Sequence, residues 1–283
     1  HQECNTRCLI DKVTRFEDEH KHPMNIDSMT ADDLRVFADF LSSDYDISMN
    51  TIVTNMTLMR TVCNWVRKQG VTNNDPFFGY DMPKALYGTP YFLTIQERDQ
   101  VLDADLTDDA ELAEYRDMFV FQCMVGCRHS DLVTFTPKNI IDGVLEYIPI
   151  KTKGKLGDVV RVPLIPKAMA ILDGHDHGDD EPIFPKHYNF KFNDAIRRIL
   201  KRAKVNRVVT VINPKTRLEE KKPISDVATS HLARRTFIGN LYRMVKDPDL
   251  VASMSGHAKG SVAFARYRVI DDDMKKSLVE LIQ

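Results

Sequence analysis

Four short segments of the sequence place arginine, histidine or tyrosine side chains beside apolar stretches. They are residues 126–132 (GCRHSDL), 230–235 (SHLARR), 255–257 (SGH) and 265–268 (ARYR). His231 and Arg234 are three residues apart, so on a helix they lie on one face. Arg128 follows the glycine at which an apolar run ends, a position from which its guanidinium can point into a cleft. These segments are the candidates for a reactive site.

Together these residue types fit chemistry on a phosphodiester. Two arginines can grip the non-bridging oxygens in bidentate fashion. Histidines can move protons or donate to a phosphorane oxygen. A tyrosine hydroxyl can act as a nucleophile, but with a pKa of about 10 it needs activation. The sequence has no clustered Asp and Glu set to hold two metal ions, so positive side chains must take their place. The set predicts metal-free phosphoryl transfer through a phosphotyrosine.

The order of these segments along the chain resembles the tyrosine recombinase (phage integrase) family. Residues 128–132 resemble its first arginine box, and residues 230–237 resemble its His-x-x-Arg box. Residues 254–257 resemble the Leu-Gly-His element, and residues 266–267 resemble the nucleophile motif. The resemblance spans the whole chain. It implies a catalytic set of Arg128, Lys153, His231, Arg234, His257 and Tyr267.

The resemblance also implies a role for each residue. Tyr267 attacks a scissile phosphate and forms a 3′-phosphotyrosyl link, which releases a 5′-hydroxyl. Arg128 and Arg234 stabilise the charge on the phosphorane. His231 assists proton removal from Tyr267, and His257 donates to a non-bridging oxygen. We expect no ATP, metal or other cofactor, because the phosphotyrosine keeps the bond energy.

Two further assignments concern the residues around the first arginine and the lysine. Asp131 is expected to orient Arg128 rather than to react. Lys153, which lies 25 residues after Arg128, resembles the lysine that protonates the leaving 5′-oxygen. Lys151 and Lys155 flank it, so which of the three is the catalytic lysine stays open.

The first third of the chain has the pattern of a small helical domain. Thr30, with Asp33 in the first turn, begins one helix. A second helix is predicted over residues 50–68 and ends at Gly70. Residues 1–29 are polar and give little periodic signal, whereas residues 73–90 carry three prolines and two glycines, the strongest linker signal in the chain. We place the first domain at residues 1–85, and the resemblance implies a SAM-like, DNA-binding core-binding domain.

Residues 86–283 are predicted to form a mixed α/β catalytic domain. Thr94 and Glu97 make a capping box that begins a helix, and an apolar helix ends near Val125. Two β-prone runs enclose a basic, glycine-rich tip and predict a hairpin. Further helices are predicted at about 166–172, 190–204, 230–244, 248–254 and 274–282. The last helix either packs within the molecule or docks on a neighbouring subunit. The predicted fold class is mainly α with a small β-sheet, in two domains.

Charge is distributed unevenly along the chain, although the net charge is only −2. Residues 186–246 contain 16 Lys and Arg against four acids, a balance of +12. Residues 97–117 contain nine acids against two arginines, a balance of −7. Such asymmetry is typical of a surface that faces a polyanion, with an acidic face elsewhere. The alternative is a pair of solvated charged faces.

Length and composition exclude membrane-spanning proteins and small disulfide-rich secreted proteins. The longest nearly apolar stretch, residues 118–126, is far shorter than the roughly 20 residues that a bilayer requires. Five scattered cysteines do not suggest a disulfide framework and fit a reducing compartment. Cys4 and Cys8 with His20 and His22 have the wrong spacing for a common zinc site. We therefore expect a cytoplasmic, nucleoid-associated protein.

The resulting hypothesis is a site-specific DNA recombinase, the integrase of a mobile element. Its expected partners are double-stranded DNA, further copies of itself in a tetramer, and DNA-bending accessory proteins. Two alternatives remain: a type IB topoisomerase-like activity and a non-catalytic, integrase-derived DNA-binding regulator. A metal-dependent nuclease is disfavoured because the carboxylate cluster is missing from the sequence.

Overall fold

A computed structural model describes residues 2–45, 47–152, 159–175, 178–245, 247–257 and 279–280. The chain divides into two compact units. The first comprises His1–Gly88 and Ile212–Glu220, and the second comprises Thr89–Val211 and Lys221–Gln283. Among the helices described, none is both long enough and apolar enough to span a bilayer.

Three helices build the first unit: α1 (Gln2–His20), α2 (Ala31–Ser43) and α3 (Met49–Lys68). The predicted capping box of α2 is confirmed, because the Thr30 side chain accepts from Asp33 N–H and the Asp33 carboxylate accepts from Thr30 N–H. Ser48 caps α3. The apolar faces of the three helices form one core that includes Leu34, Phe37, Phe40, Leu41, Ile52, Met56 and Met59.

Helix α1 lies within residues 1–29, where the sequence gives little periodic signal and no helix was predicted. Leu9 and Phe16 are buried in the core of the first unit. The Phe16 ring lies edge-on to both Phe37 and Phe40, with centroids 5.3 Å from each. The buried stripe is narrow and the rest of the helix is charged, so the apolar period is weak. Burial against α2 supplies the stability that the periodicity alone did not indicate.

Eight helices of the second unit have both ends within residues 89–257 of the described structure. They are α4 (Ile95–Leu102), α5 (Ala110–Val125), α6 (His129–Leu132), α7 (Pro166–Asp173), α8 (Asn189–Arg202), α9 (Ile224–Val227), α10 (Ser230–Val245) and α11 (Pro248–Ser255). Helix α5 is central, because residues 118–125 are all buried. It packs chiefly against α10 and α8. The predicted capping box at Thr94 and the helix end at Val125 are both confirmed.

Two small antiparallel sheets complete the described structure. Strands β1 (Ile140–Ile141), β2 (Val144–Tyr147) and β3 (Val160–Pro163) pair in the order β1-β2-β3. Leu145 pairs with Val162, which confirms the predicted hairpin strands; its tip, residues 153–158, lies outside the described residues. Strands β4 (Val208–Ile212) and β5 (Glu219–Pro223) form a second hairpin. This hairpin was not predicted, because β5 reads EEKKP and has no apolar alternation.

Some cations of the basic segment form ion pairs, three of them with acids of residues 97–117. Arg198 of α8 binds Asp109 at 2.7 Å, and Arg202 binds Asp108. Lys201 binds Asp226 at 2.8 Å, and Arg207 binds Glu97 at 2.8 Å. The charge asymmetry along the sequence is therefore partly neutralised within the fold. The paired side chains of Arg198, Lys201 and Arg202 are still about half exposed, so these ion pairs lie on a solvated surface.

Candidate active site

The first arginine box begins at a turn that only glycine can make. Gly126 ends α5 in the left-handed region, with φ +68°. A Cβ at this position would overlap the Phe237 ring of α10. Gln122 Nε2 donates to Cys127 O at 3.0 Å and holds the chain after the turn. The turn thus sets Arg128 at the start of α6, in extended backbone with φ −77° and ψ 152°.

Arg234 links the His-x-x-Arg box to the first arginine box through a hydrogen bond. Its side chain is 1% exposed on α10, and its Nη1 donates to Gly126 O at 2.7 Å. The start of α10 is held by α8, because Ser230 N–H donates to Asn193 Oδ1 at 2.8 Å. Two segments that are 108 residues apart in sequence therefore meet at one guanidinium.

His257, in the segment that resembles the Leu-Gly-His element, lies against the same Arg234 guanidinium. Gly256 ends α11 with φ +63°, and a Cβ there would lie 3.0 Å from Val160. Arg234 Nη2 lies 3.0 Å from Nδ1 and 3.1 Å from Nε2 of the His257 ring. The Ser255 hydroxyl lies 2.9 Å from Nδ1. The His257 ring is thus held between a buried arginine and a buried serine.

Burial and nearby positive charge keep both site histidines neutral. Burial, followed by the charges of Arg235, Arg234 and Arg128, lowers the pKa of His231 to about 4. Burial, followed by the charges of Arg234 and Arg128, lowers the pKa of His257 to about 3. At neutral pH both imidazoles are therefore unprotonated, so each can accept a proton.

Arg128 carries an unsatisfied donor into this cluster. Its Nη1 is buried and has no hydrogen-bond partner within the described part of the chain. Leaving a buried charged donor unpaired is costly, and an anion that enters the cluster removes this cost. The positive groups and the open donor together form a pocket suited to a phosphate.

The structure gives Asp131 a different partner from the one predicted. Among the described residues no hydrogen bond or ion pair joins the Asp131 side chain to Arg128, although the Asp131 backbone N–H donates to Arg128 O at 3.0 Å. Instead, Asp131 is buried and its Oδ1 accepts from Ile150 N–H at 2.9 Å. Ile150 begins a short 3-10 turn, Ile150–Thr152, directly before the lysine-rich hairpin tip. Asp131 therefore anchors the segment that carries Lys151.

The structure brings together Arg128, His231, Arg234 and His257 from the predicted catalytic set. Lys153 and Tyr267 lie outside the described residues. Lys151 is described, and its charge contributes to lowering the pKa of His257, after burial and the charges of Arg234, Arg128 and His231. In the described residues no group of three or more His, Cys, Asp or Glu side chains could hold a metal ion.

Sequence reasoning missed the residues that position this set. Gly126 was read only as a helix end, although a glycine after a buried helix is the usual left-handed cap. Asn193 and Ser255 gave no sequence signal, because their partners, Ser230 N–H and the His257 ring, are known only from the fold.

Comparison with known proteins identifies the family. A family model described as the phage integrase family matches residues 91–274. The chain belongs to the phage integrase family. A second model, the phage integrase SAM-like domain, matches residues 2–82 of this integrase-family chain. Membership makes the protein a tyrosine-type site-specific recombinase, as the sequence predicted.

Solved structures of other recombinases share the fold at low sequence identity. The Tn1549 transposon integrase in complex with a circular intermediate DNA is 16% identical, with a TM-score of 0.70 over 98% of this chain and 93% of that chain. A lambda integrase dimer bound to a COC′ core site is 14% identical, with a TM-score of 0.65 over 94% and 89%. The XerH site-specific recombinase bound to its difH substrate is 14% identical, with a TM-score of 0.61 over 96% and 77%. No curated protein matches this recombinase.

Proposed function

We propose that this recombinase cuts and rejoins duplex DNA at specific sites through a 3′-phosphotyrosyl intermediate formed by Tyr267. The observation that carries the proposal is the cluster of half-buried Arg128, buried Arg234 and two neutral imidazoles, in which Arg128 Nη1 is buried without a hydrogen-bond partner among the described residues. Only a group with concentrated negative charge and several acceptor oxygens satisfies such a pocket. A DNA phosphate is that group for a member of this family.

The two arginines bind the scissile phosphate and stabilise its transition state. Arg128 Nη1 donates to a non-bridging oxygen, which satisfies the donor left open in the cluster. Arg234 is oriented by its bond to Gly126 O, so its Nη2 faces the same pocket as the His257 ring. Fixed donors that meet the growing charge of the phosphorane lower the barrier without reorganising during the reaction.

The histidines supply the proton transfers. His231 is neutral at physiological pH, so it can take the phenol proton as Tyr267 attacks the phosphorus. The bond from phosphorus to the tyrosine oxygen forms as the bond from phosphorus to the 5′-oxygen breaks. His257 then donates to a non-bridging oxygen. The bound phosphate offsets the arginine charges, which favours the protonated imidazole in the complex.

A lysine of the hairpin segment protonates the leaving 5′-oxygen. The family resemblance assigns this role to Lys153. Lys151 is the alternative that the described geometry supports, because its charge acts on His257 and Asp131 anchors its turn. A DNA substrate with sulfur in place of the bridging 5′-oxygen distinguishes the two, since a thiolate leaves without a proton. Alanine at the catalytic lysine should slow cleavage of normal DNA but not of the sulfur substrate. Alanine at the other lysine should affect both substrates equally.

The nucleophile is tested with a DNA duplex that is nicked beside the cleavage point. The nick lets the short product diffuse away, so the covalent protein–DNA adduct accumulates. Wild-type protein should form an adduct that survives denaturation, and Tyr267→Phe should bind the site normally and form none. An adduct with the Phe variant would refute the assignment. A stable adduct that requires a metal ion would contradict the metal-free mechanism.

We also propose that the first unit, taken as residues 1–85, binds DNA through α3, and that residues 86–283 hold the catalytic domain. Helix α3 has 20 residues and contains no Asp or Glu. One exposed stripe along it carries Thr54, Thr57, Thr61, Asn64 and Lys68. Uncharged donors and acceptors flanked by a cation suit the edges of bases and the phosphates beside them.

The biological setting completes the proposal. The recombinase serves a mobile element in the cytoplasm, in contact with the nucleoid. It acts as a tetramer on paired core sites, with help from DNA-bending proteins. The DNA complexes of the Tn1549 integrase, lambda integrase and XerH, which share this fold, support the choice of DNA as substrate. Sedimentation of the protein with and without core-site DNA tests the assembly.

A further inference from the structure

Ser255 is a buried hydroxyl that the reaction scheme does not use. It lies in the last turn of α11 and is 0% exposed. Its Oγ lies 2.8 Å from Val251 O and 2.9 Å from Nδ1 of His257. A hydroxyl has one hydrogen to donate and lone pairs to accept. It can therefore bond to both neighbours at once only if it donates to one and accepts from the other.

The carbonyl decides the direction of these bonds. Val251 O can only accept, so the Ser255 hydroxyl donates to it. The Ser255 oxygen then accepts from the ring, which requires the hydrogen of neutral His257 to lie on Nδ1. The opposite nitrogen, Nε2, is left as an acceptor. Arg234 Nη2, which can only donate, lies 3.0 Å from Nδ1 and 3.1 Å from Nε2, so with the ring hydrogen on Nδ1 it donates to Nε2. This assignment of the ring hydrogen satisfies every one of these groups.

We propose that Ser255 is a positioning residue that fixes the ring orientation and tautomer of His257. It keeps Nδ1–H turned inward and Nε2 turned toward Arg234 and the site of the phosphate. The inference rests on the proposed function, in which His257 donates to a phosphate oxygen. Nε2 first accepts from Arg234, then takes one proton from solvent when the phosphate enters, and donates it to the oxygen as a hydrogen bond. Nδ1 keeps its proton throughout.

Ser253 provides a matched control on the same helix. Its hydroxyl donates to Leu250 O at 2.7 Å, the same kind of bond that Ser255 makes to Val251 O. Ser253 is exposed, and its hydroxyl bonds to a helix carbonyl rather than to a ring. Ser253→Ala therefore removes a helix hydroxyl without disturbing His257.

The first test measures the rate of covalent adduct formation on the nicked duplex. Ser255→Ala should lower this rate by about tenfold, as expected for one lost hydrogen bond, with DNA binding unchanged. Ser253→Ala should react like wild type. In a His257→Ala background, Ser255→Ala should cost nothing further, because the residue acts only through the ring. Equal losses in both backgrounds would overturn the inference.

The second test does not depend on catalysis. Protein carrying ¹⁵N-labelled histidine, with His257 assigned by comparison with His257→Ala, reports which ring nitrogen bears the hydrogen. Wild type should show Nδ1 protonated, and Ser255→Ala should show a shift toward Nε2. The same tautomer in both proteins would overturn the inference. If wild type forms no adduct through Tyr267, the proposed function fails while this spectrum still decides the role of Ser255.

Discussion

At the scale of single residues, Arg234 is the side chain on which the site depends. It is buried, it bonds to Gly126 O and the His257 ring, and its charge lowers the pKa of both site histidines. Burying a guanidinium beside neutral imidazoles is unfavourable unless an anion compensates for it. The protein thus holds its free site in a charge state that favours phosphate binding.

The two histidines should make stability depend on pH. Their pKa values fall from 6.5 in the unfolded chain to about 4 for His231 and about 3 for His257. Between pH 6.5 and the lowered pKa of each histidine, the unfolded state binds more protons than the folded state. The free energy of unfolding is therefore highest above pH 6.5 and falls as the pH drops toward 4. Each histidine contributes a slope of up to about 1.4 kcal/mol per pH unit.

Urea unfolding of wild type and His257→Gln at several pH values measures this effect. The difference in unfolding free energy between the two proteins should shrink as the pH falls through this window. Ser253→Ala, which changes an exposed residue that has no titratable group, is the control variant and should keep the wild-type slope. A difference that does not change with pH would contradict neutral burial of His257.

At the scale of elements, the contact between α5 and α10 sets the geometry of both arginines. Gly126 ends α5 with its carbonyl toward Arg234 and its Cα against Phe237. The close approach of two buried helices therefore also aligns the first two boxes. The packing contact and the proposed catalytic site share residues here, so changes at this contact should affect both.

Gly126→Ala should lower the free energy of unfolding by more than the cost of placing an alanine at a positive φ. The positive φ costs an alanine about 1–2 kcal/mol, and overlap with the Phe237 ring adds about 1–3 kcal/mol of overpacking. Gly143 is the matched control, since its φ is +73° and a Cβ there meets nothing within 4 Å. Urea unfolding of both alanine variants isolates the overlap. Equal losses of stability would show that the ring moves aside without cost.

At the scale of the whole molecule, the proposed function assigns DNA contact to the first unit and the chemistry to the second. The charge balance along the sequence does not identify the DNA-binding surface, because three cations of α8 form ion pairs with Asp108, Asp109 and Asp226. Helix α3, with cations and no acids, is a better candidate although it is not strongly basic. A polyanion responds to the local surface charge that remains once ion pairs within the protein are discounted.

An acid placed on the α3 stripe should weaken DNA binding. Thr57→Asp puts a negative charge at the centre of the stripe and should reduce affinity for a core site at least tenfold, with thermal stability nearly unchanged because Thr57 is exposed. Ser42→Asp, at an exposed position on α2, adds the same charge elsewhere in the unit. Fluorescence anisotropy over a salt series compares them. Equal affinities for the two variants would rule out α3 as the contact surface.

Much of this protein could be predicted from the sequence alone. Cap residues such as Thr30 and Thr94, glycine stops such as Gly126, and apolar periods are local signals, so most helices and the β2–β3 pair were predicted. The order of short boxes was enough to identify the family and to nominate Arg128, His231, Arg234 and His257. Helix α1 was not predicted because its apolar period is weak and burial against α2 stabilises it, and the β4–β5 hairpin was not predicted because β5 has no apolar alternation.

Only the tertiary structure decided which partner each polar group takes. The Asp131 carboxylate bonds to Ile150 N–H, Arg202 pairs with Asp108, and Arg234 donates to Gly126 O. Spacing along a chain specifies helix faces over a few residues. Hydrogen bonds and charge pairs form between whatever groups the packed core brings within about 3 Å, and that choice is made by the fold as a whole.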